Sequence, residues 1–126
     1  MLIFNFLWAL TLTEIVELTV AYLLGFRKKS IIITIISVNL ITNPVLNYLL
    51  LLNYHFSFIK HNLIIILFLE MVMVFVEWKI LVYALIDKPK NLFKLSLIMN
   101  FCSYISGVFI FEILGIYLSY IARSLN

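Results

Sequence analysis

Charge is scarce in this sequence. Lys and Arg number 9 and Asp and Glu 6 among 126 residues, 12% of the chain, where a soluble domain carries about a quarter. Apolar residues make up 65% and mean hydropathy is +1.16, which excludes an ordinary water-soluble globule. The single cysteine, Cys102, has no partner for a disulfide or a metal site and is expected to be a small buried hydrophobe. The single aspartate, Asp87, sits between apolar runs, so there is no aspartate pair and no aspartate-rich metal–phosphate motif. His-Glu-x-x-His, a P-loop and a dinucleotide glycine fingerprint are all missing. No enzyme, cofactor or metal centre is expected from such a chain.

What is present is long apolar runs, at 2–26, 31–53, 63–86 and 95–119. At ~1.5 Å per residue, each is long enough to cross a hydrocarbon core of ~30 Å. Arg27 to Ser30, the segment 54–62 and the segment 87–94, punctuated by Pro89, connect them. The first run follows no basic n-region and holds two glutamates and no small-residue cleavage site. It is expected to stay as a membrane helix rather than be cleaved as a signal peptide. The expected fold is all-α, one integral membrane domain over 1–126, with four transmembrane helices bundled around a polar seam.

The basic residues give the orientation. With four spans, the first and third connections share a side and hold Arg27, Lys28, Lys29, Lys88, Lys90 and Lys94, against Lys60 and Arg123 opposite. Excess Lys and Arg marks the cytoplasmic side, so the chain is expected in the cell membrane with both termini extracytoplasmic. These bases do not form a patch with interleaved aromatics, so a nucleic-acid partner is not expected.

Five carboxyls fall inside the apolar runs, Glu14, Glu17, Glu70, Glu77 and Glu112, with one base, Lys79. An intramembrane carboxylate costs ~2.5–3.5 kcal/mol on insertion scales, and each Leu, Ile, Phe or Val returns ~0.3–0.6. The first run, with fourteen such apolar residues and two glutamates, is close to balanced and needs neighbours. Counting rise per residue puts Glu14 near the midplane, with Glu17, Glu77, Asn39, Asn43, Asn100 and Ser103 converging on a nearby layer. Glu70, Glu112 and Asn47 form a looser group nearer the outside.

Helical spacing turns these residues into stripes. Glu14, Glu17, Ala21 and Gly25 share one face; Asn39, Asn43 and Asn47 are four apart; Glu70 and Glu77 are seven apart; Ser96, Asn100, Ser103 and Gly107 recur at near-heptad spacing. Asn and Ser also serve as plain interhelical glue, at ~0.6 kcal/mol per bond, and that reading fits Asn47 and Ser96. Glutamates are costlier than neutral glue, which favours a function for them. One base cannot neutralise five acids, so the surplus must be protonated or balanced by a bound cation or a partner's base. Lys79 points away from the Glu70 and Glu77 face and is expected to snorkel beside Trp78. Pro44 interrupts a helix and frees a carbonyl near position 40, beside Asn39 and Asn43, an oxygen of the kind hard cations take. His55 and His61 read as solvated loop residues.

The stretch Glu17-x-x-x-Ala21-x-x-x-Gly25-x-Arg27, then Val38-Asn39-x-x-Thr42-Asn43-Pro44, then Val76-Glu77, then Ser96-Leu97-x-x-Asn100-x-x-Ser103-x-x-x-Gly107 resembles small uncharacterised bacterial four-helix integral membrane proteins. That resemblance implies the architecture and no activity. Glu14 alone suggests the small multidrug resistance family, but the six-to-two asymmetry of basic residues opposes dual topology, and three glycines are too few for that family or for the fluoride channels. The leading expectation is a transporter or channel unit handling a proton or small cation through Glu14, Glu17, Asn39, Asn43, Glu70, Glu77, Asn100 and Ser103. Four short helices enclose little space, so a homo-oligomer or a membrane-complex partner is expected. The second reading is a non-catalytic subunit or scaffold whose glutamates meet a partner's bases. A third is a glutamate-based intramembrane hydrolase, with Glu14 or Glu17 activating water.

Overall fold

The structure, a computed structural model, describes residues 2–56 and 62–124. The described chain is four helices, α1 (Leu2–Leu23), α2 (Lys29–Phe56), α3 (Asn62–Ala84) and α4 (Pro89–Ser124), with no strand among the described residues. Each helix packs on two others, α1 on α2 and α4, α3 on α2 and α4, so the four close a ring.

The helix ends explain where the boundaries depart from the apolar runs. α1 stops at Leu23, not at residue 26, because Gly25 adopts φ +91°, a left-handed conformation that costs an L side chain energy. Gly25 N–H donates to the Tyr22 carbonyl at 3.1 Å and Phe26 N–H to the Ala21 carbonyl at 2.9 Å, the paired bonds of a Schellman stop. Gly25 therefore caps the helix and does not extend the Glu14–Glu17–Ala21 face. α2 runs through Pro44 without interruption and reaches Phe56, three residues past the expected 53. At α4 the apolar pattern set the start at 95, yet the helix begins at Pro89. Proline fits the first helical position, where its missing N–H has no intrahelical partner to lose. Lys90 and Lys94, expected in a loop, lie in the first turns of α4. At 36 residues α4 is ~54 Å long. The third helix ends at Ala84 rather than 86.

Surface and interior are inverted relative to a water-soluble protein. Large apolar side chains line the outside, including Ile41 at 61%, Phe68 at 63% and Phe109 at 64% exposure, while Glu17, Asn39, Thr42, Glu77, Ser96 and Asn100 are buried. Outward-facing hydroxyls are satisfied within their own helix: Thr11 donates to the Leu7 carbonyl at 2.8 Å, Thr34 to Ser30 at 2.8 Å and Ser37 to Ile33 at 2.9 Å. Water is not needed to satisfy them, as a lipid-facing hydroxyl requires. Three helices are long and apolar enough to cross a membrane, over Phe6–Leu23, Lys29–Asn53 and Pro89–Tyr117. α3 is not among them, since every 18-residue stretch of it contains Glu70, Glu77 and Lys79.

Two apolar clusters hold the ring together. Ala21, Ile31, Ile35, Leu81, Leu92, Leu95 and Met99, drawn from all four helices, pack near the end that carries the two basic turns. Leu46, Leu69 and Met73 join α2 to α3 toward the opposite end. Trp78 fixes α3 to the start of α4: its indole N–H donates to the Pro89 carbonyl at 2.9 Å, and its ring meets Phe75 and Phe93 edge-on at 5.5 and 5.3 Å.

Candidate functional site

Immediately above the first apolar cluster the interior turns polar. Ala21 is followed one turn back along α1 by Glu17, and Leu81 one turn back along α3 by Glu77, so the glutamates sit on the faces that bury the apolar residues. Both carboxyls are nearly inaccessible, 1% and 3% exposed. α2 supplies Asn39, whose amide donates to Glu17 Oε2 at 2.5 Å, and Thr42, whose hydroxyl reaches Glu77 Oε1 at 3.0 Å. α4 supplies Asn100, whose amide donates to Glu77 Oε2, and Ser96, whose hydroxyl stands 3.4 Å from the same oxygen. The donors to both glutamates are neutral amides and hydroxyls, and no guanidinium or ammonium is among them. Neutral donors can hold a carboxyl in either protonation state, whereas an ammonium would fix it as an anion.

The donors to Glu77 are themselves anchored. Thr42 is 3.2 Å from the Val38 carbonyl, Ser96 donates to the Val74 carbonyl at 2.9 Å, and Asn100 to the Ser96 carbonyl at 3.0 Å. Ser103 donates to the Asn100 carbonyl at 3.0 Å and is half-buried, adding a third turn of α4 to the polar stripe. Each hydroxyl carries one hydrogen, so Thr42 and Ser96 have two acceptors to choose between.

A cavity of about 420 Å³ lies against this cluster, with walls from all four helices. Glu17 and Glu77 border it, and Glu70 and Glu112 carry it toward the end bearing the chain termini. No Lys, Arg or His lines it among the described residues. The inner and outer polar groups expected as separate layers thus share one space. Toward the basic turns, the Ala21–Leu95–Met99 cluster closes the interior with apolar side chains.

The remaining expected site residues sit at its margins. Glu14 is half-buried, and both of its carboxyl oxygens are out of contact with water and without a hydrogen-bond partner among the described residues. Glu70 is half-buried and Glu112 exposed. Asn43 is half-buried and offers its carbonyl to the Asn47 amide at 2.9 Å, and Asn47 is exposed rather than turned inward with Asn39. The i, i+4, i+8 stripe of asparagines rotates outward along α2, because 3.6 residues per turn leave a residue eight positions on ~80° off the starting face. Lys79 is exposed, with its ammonium over the Trp78 and Phe75 rings at 4.7 and 5.4 Å from their centroids, away from the carboxyls. Cys102 is half-buried, not buried. His55 is exposed at the end of α2, edge-on to Phe56, and His61 and Lys60 lie outside the described residues.

Two contributors escaped the sequence pattern. Thr42 reads as a back-bonding hydroxyl and Ser96 as helix glue, since neither residue type carries a cost that demands a function. Their positions three residues after Asn39 and four before Asn100 place them on the same faces as those asparagines. No family model, no curated protein and no solved structure matches this chain.

Proposed function

We propose that the chain is a four-helix transmembrane bundle, termini extracytoplasmic, that handles a proton or small cation through its carboxyl-lined cavity as a transporter or channel unit. The observation that carries this reading is the cavity itself: four carboxyls on its walls and no basic side chain among the described residues. A site so composed attracts cations and repels anions, and low surrounding polarity strengthens both effects. α3, with its three charged residues, takes its place in the bilayer by presenting Glu70 and Glu77 to the cavity while Lys79 lies on aromatic rings near the basic end. The cavity extends toward the extracytoplasmic side, and the apolar cluster at the cytoplasmic side acts as the closed gate that must part for passage. Assembly as a homo-oligomer completes the path, since four helices enclose only this one pocket of space.

The test is flux across reconstituted vesicles, with protons and with sodium, potassium, magnesium and calcium in turn. Glu17→Gln and Glu77→Gln keep the shape and neutral hydrogen bonding of the site and remove its charge. Each is expected to lower flux about tenfold, equivalent to ~1.4 kcal/mol of lost cation stabilisation. Unchanged flux in both variants overturns the reading. Glu14, with two unpartnered buried oxygens, favours a second reading in which a partner membrane protein brings a base to this face. That reading expects a stoichiometric partner to co-purify and to be lost on Glu14→Gln.

A further inference from the structure

At the basic end, the turn after α1 and the turn after α3 face each other across a cavity of about 480 Å³. Its wall combines two surfaces. Arg27, Lys28 and Ser30 bring positive charge and donors, and Leu24, Phe26 and Ile86 bring apolar area. Leu24 is 45% exposed and Ile86 fully exposed, so this apolar area lies open beside the charges. Arg27 is held in place: its guanidinium carbon stands 4.6 Å from the Tyr22 ring centroid and its Nε donates to the Tyr22 carbonyl at 3.4 Å. That arrangement engages Nε and leaves the two terminal NH₂ groups for an outside acceptor. Asp87 is the one carboxylate on the wall, and its Oδ1 accepts the Lys88 N–H at 2.6 Å. Lys29, Lys88, Lys90 and Lys94 surround the cavity without lining it, so this end is strongly positive.

We propose that this cavity holds the phosphate of an anionic phospholipid, with Arg27 and Lys28 on the phosphate oxygens and Leu24, Phe26 and Ile86 against its glycerol and proximal acyl chain. Guanidinium and ammonium are the side chains that recognise phosphate, and basic pockets between membrane helices on the cytoplasmic side are where anionic headgroups lie. Free inorganic phosphate would meet the same charges but leave the apolar wall wet. The proposal rests on the membrane placement above and not on cation handling.

The experiment counts lipid retained by the purified full chain in a mild non-ionic detergent, by native mass spectrometry, during titration with phosphatidylglycerol or phosphatidylcholine. A base beside a phosphate contributes about fivefold in affinity, so R27Q/K28Q is expected to lose most of a preference for phosphatidylglycerol of ten- to twentyfold. K90Q/K94Q, which alters charge outside the wall, is expected to change it by less than about twofold. Asp87→Asn keeps the cap on Lys88 and removes the repelling charge, so it is expected to tighten phosphatidylglycerol binding severalfold, a gain that misfolding cannot produce. Equal retention of the two lipids, equal losses in the two double variants, or no gain in Asp87→Asn overturns the proposal. Displacement of phosphatidylglycerol by millimolar inorganic phosphate assigns the site to free phosphate and overturns the lipid. Glu77→Gln is expected to retain phosphatidylglycerol unchanged whatever its effect on flux, which separates this proposal from the cation reading.

Discussion

Replacing the most heavily bonded carboxyl in the protein, Glu77→Leu, is expected to leave stability unchanged or raise it by about 1 kcal/mol. Glu77 receives Thr42, Ser96 and Asn100, and each of those donors has a backbone carbonyl in reserve, at Val38, Val74 and Ser96. Removing the carboxyl therefore strands none of them. The loss is at most ~2 kcal/mol, at ~0.6 per interhelical polar contact, and leucine relieves an intramembrane carboxyl cost of ~2.5–3.5 kcal/mol. Glu17→Leu is the contrast. The buried Asn39 amide gives its hydrogen to Glu17 and has no backbone carbonyl in reserve among the described residues. An amide stranded there costs ~1–3 kcal/mol, which offsets the gain from leucine. Equilibrium unfolding in mild detergent, followed by helicity and tryptophan emission, measures both. A fall of more than about 2 kcal/mol in Glu77→Leu, or Glu17→Leu proving the more stable of the two, would refute the reasoning.

Other outcomes follow from single contacts. Gly25→Ala is expected to cost about 1–2 kcal/mol, through φ alone, since nothing lies within 4 Å of the added Cβ; unaltered unfolding would show that the Schellman stop is dispensable. Trp78→Phe keeps the edge contacts with Phe75 and Phe93 but loses the bond to the Pro89 carbonyl, about 1 kcal/mol, and hydrogen exchange should speed up in the first turn of α4. Glu112→Gln, at an exposed position on the cavity wall, is expected to alter vesicle flux by less than about twofold, in contrast to Glu17→Gln and Glu77→Gln.

The composition and the apolar runs determined that this chain is all-helical and has helices fit for a membrane, because in a bilayer only length and apolarity are needed for a helix to satisfy its own backbone. The cost of a buried carboxylate also singled out Glu17 and Glu77, and spacing put Asn39 and Asn100 on faces able to meet them. Other features depended on how the helices sit against one another. Helical spacing gives a face only to within tens of degrees, so it could not say that Asn47 turns outward while Thr42, three residues after Asn39, turns in to Glu77. Nor could apolarity locate the start of α4, where Pro89 and the Trp78 bond begin the helix well before the apolar run. That four carboxyls share one cavity free of described bases, and that the basic turns frame a second with apolar walls, are facts about distances between helices, which only tertiary packing sets.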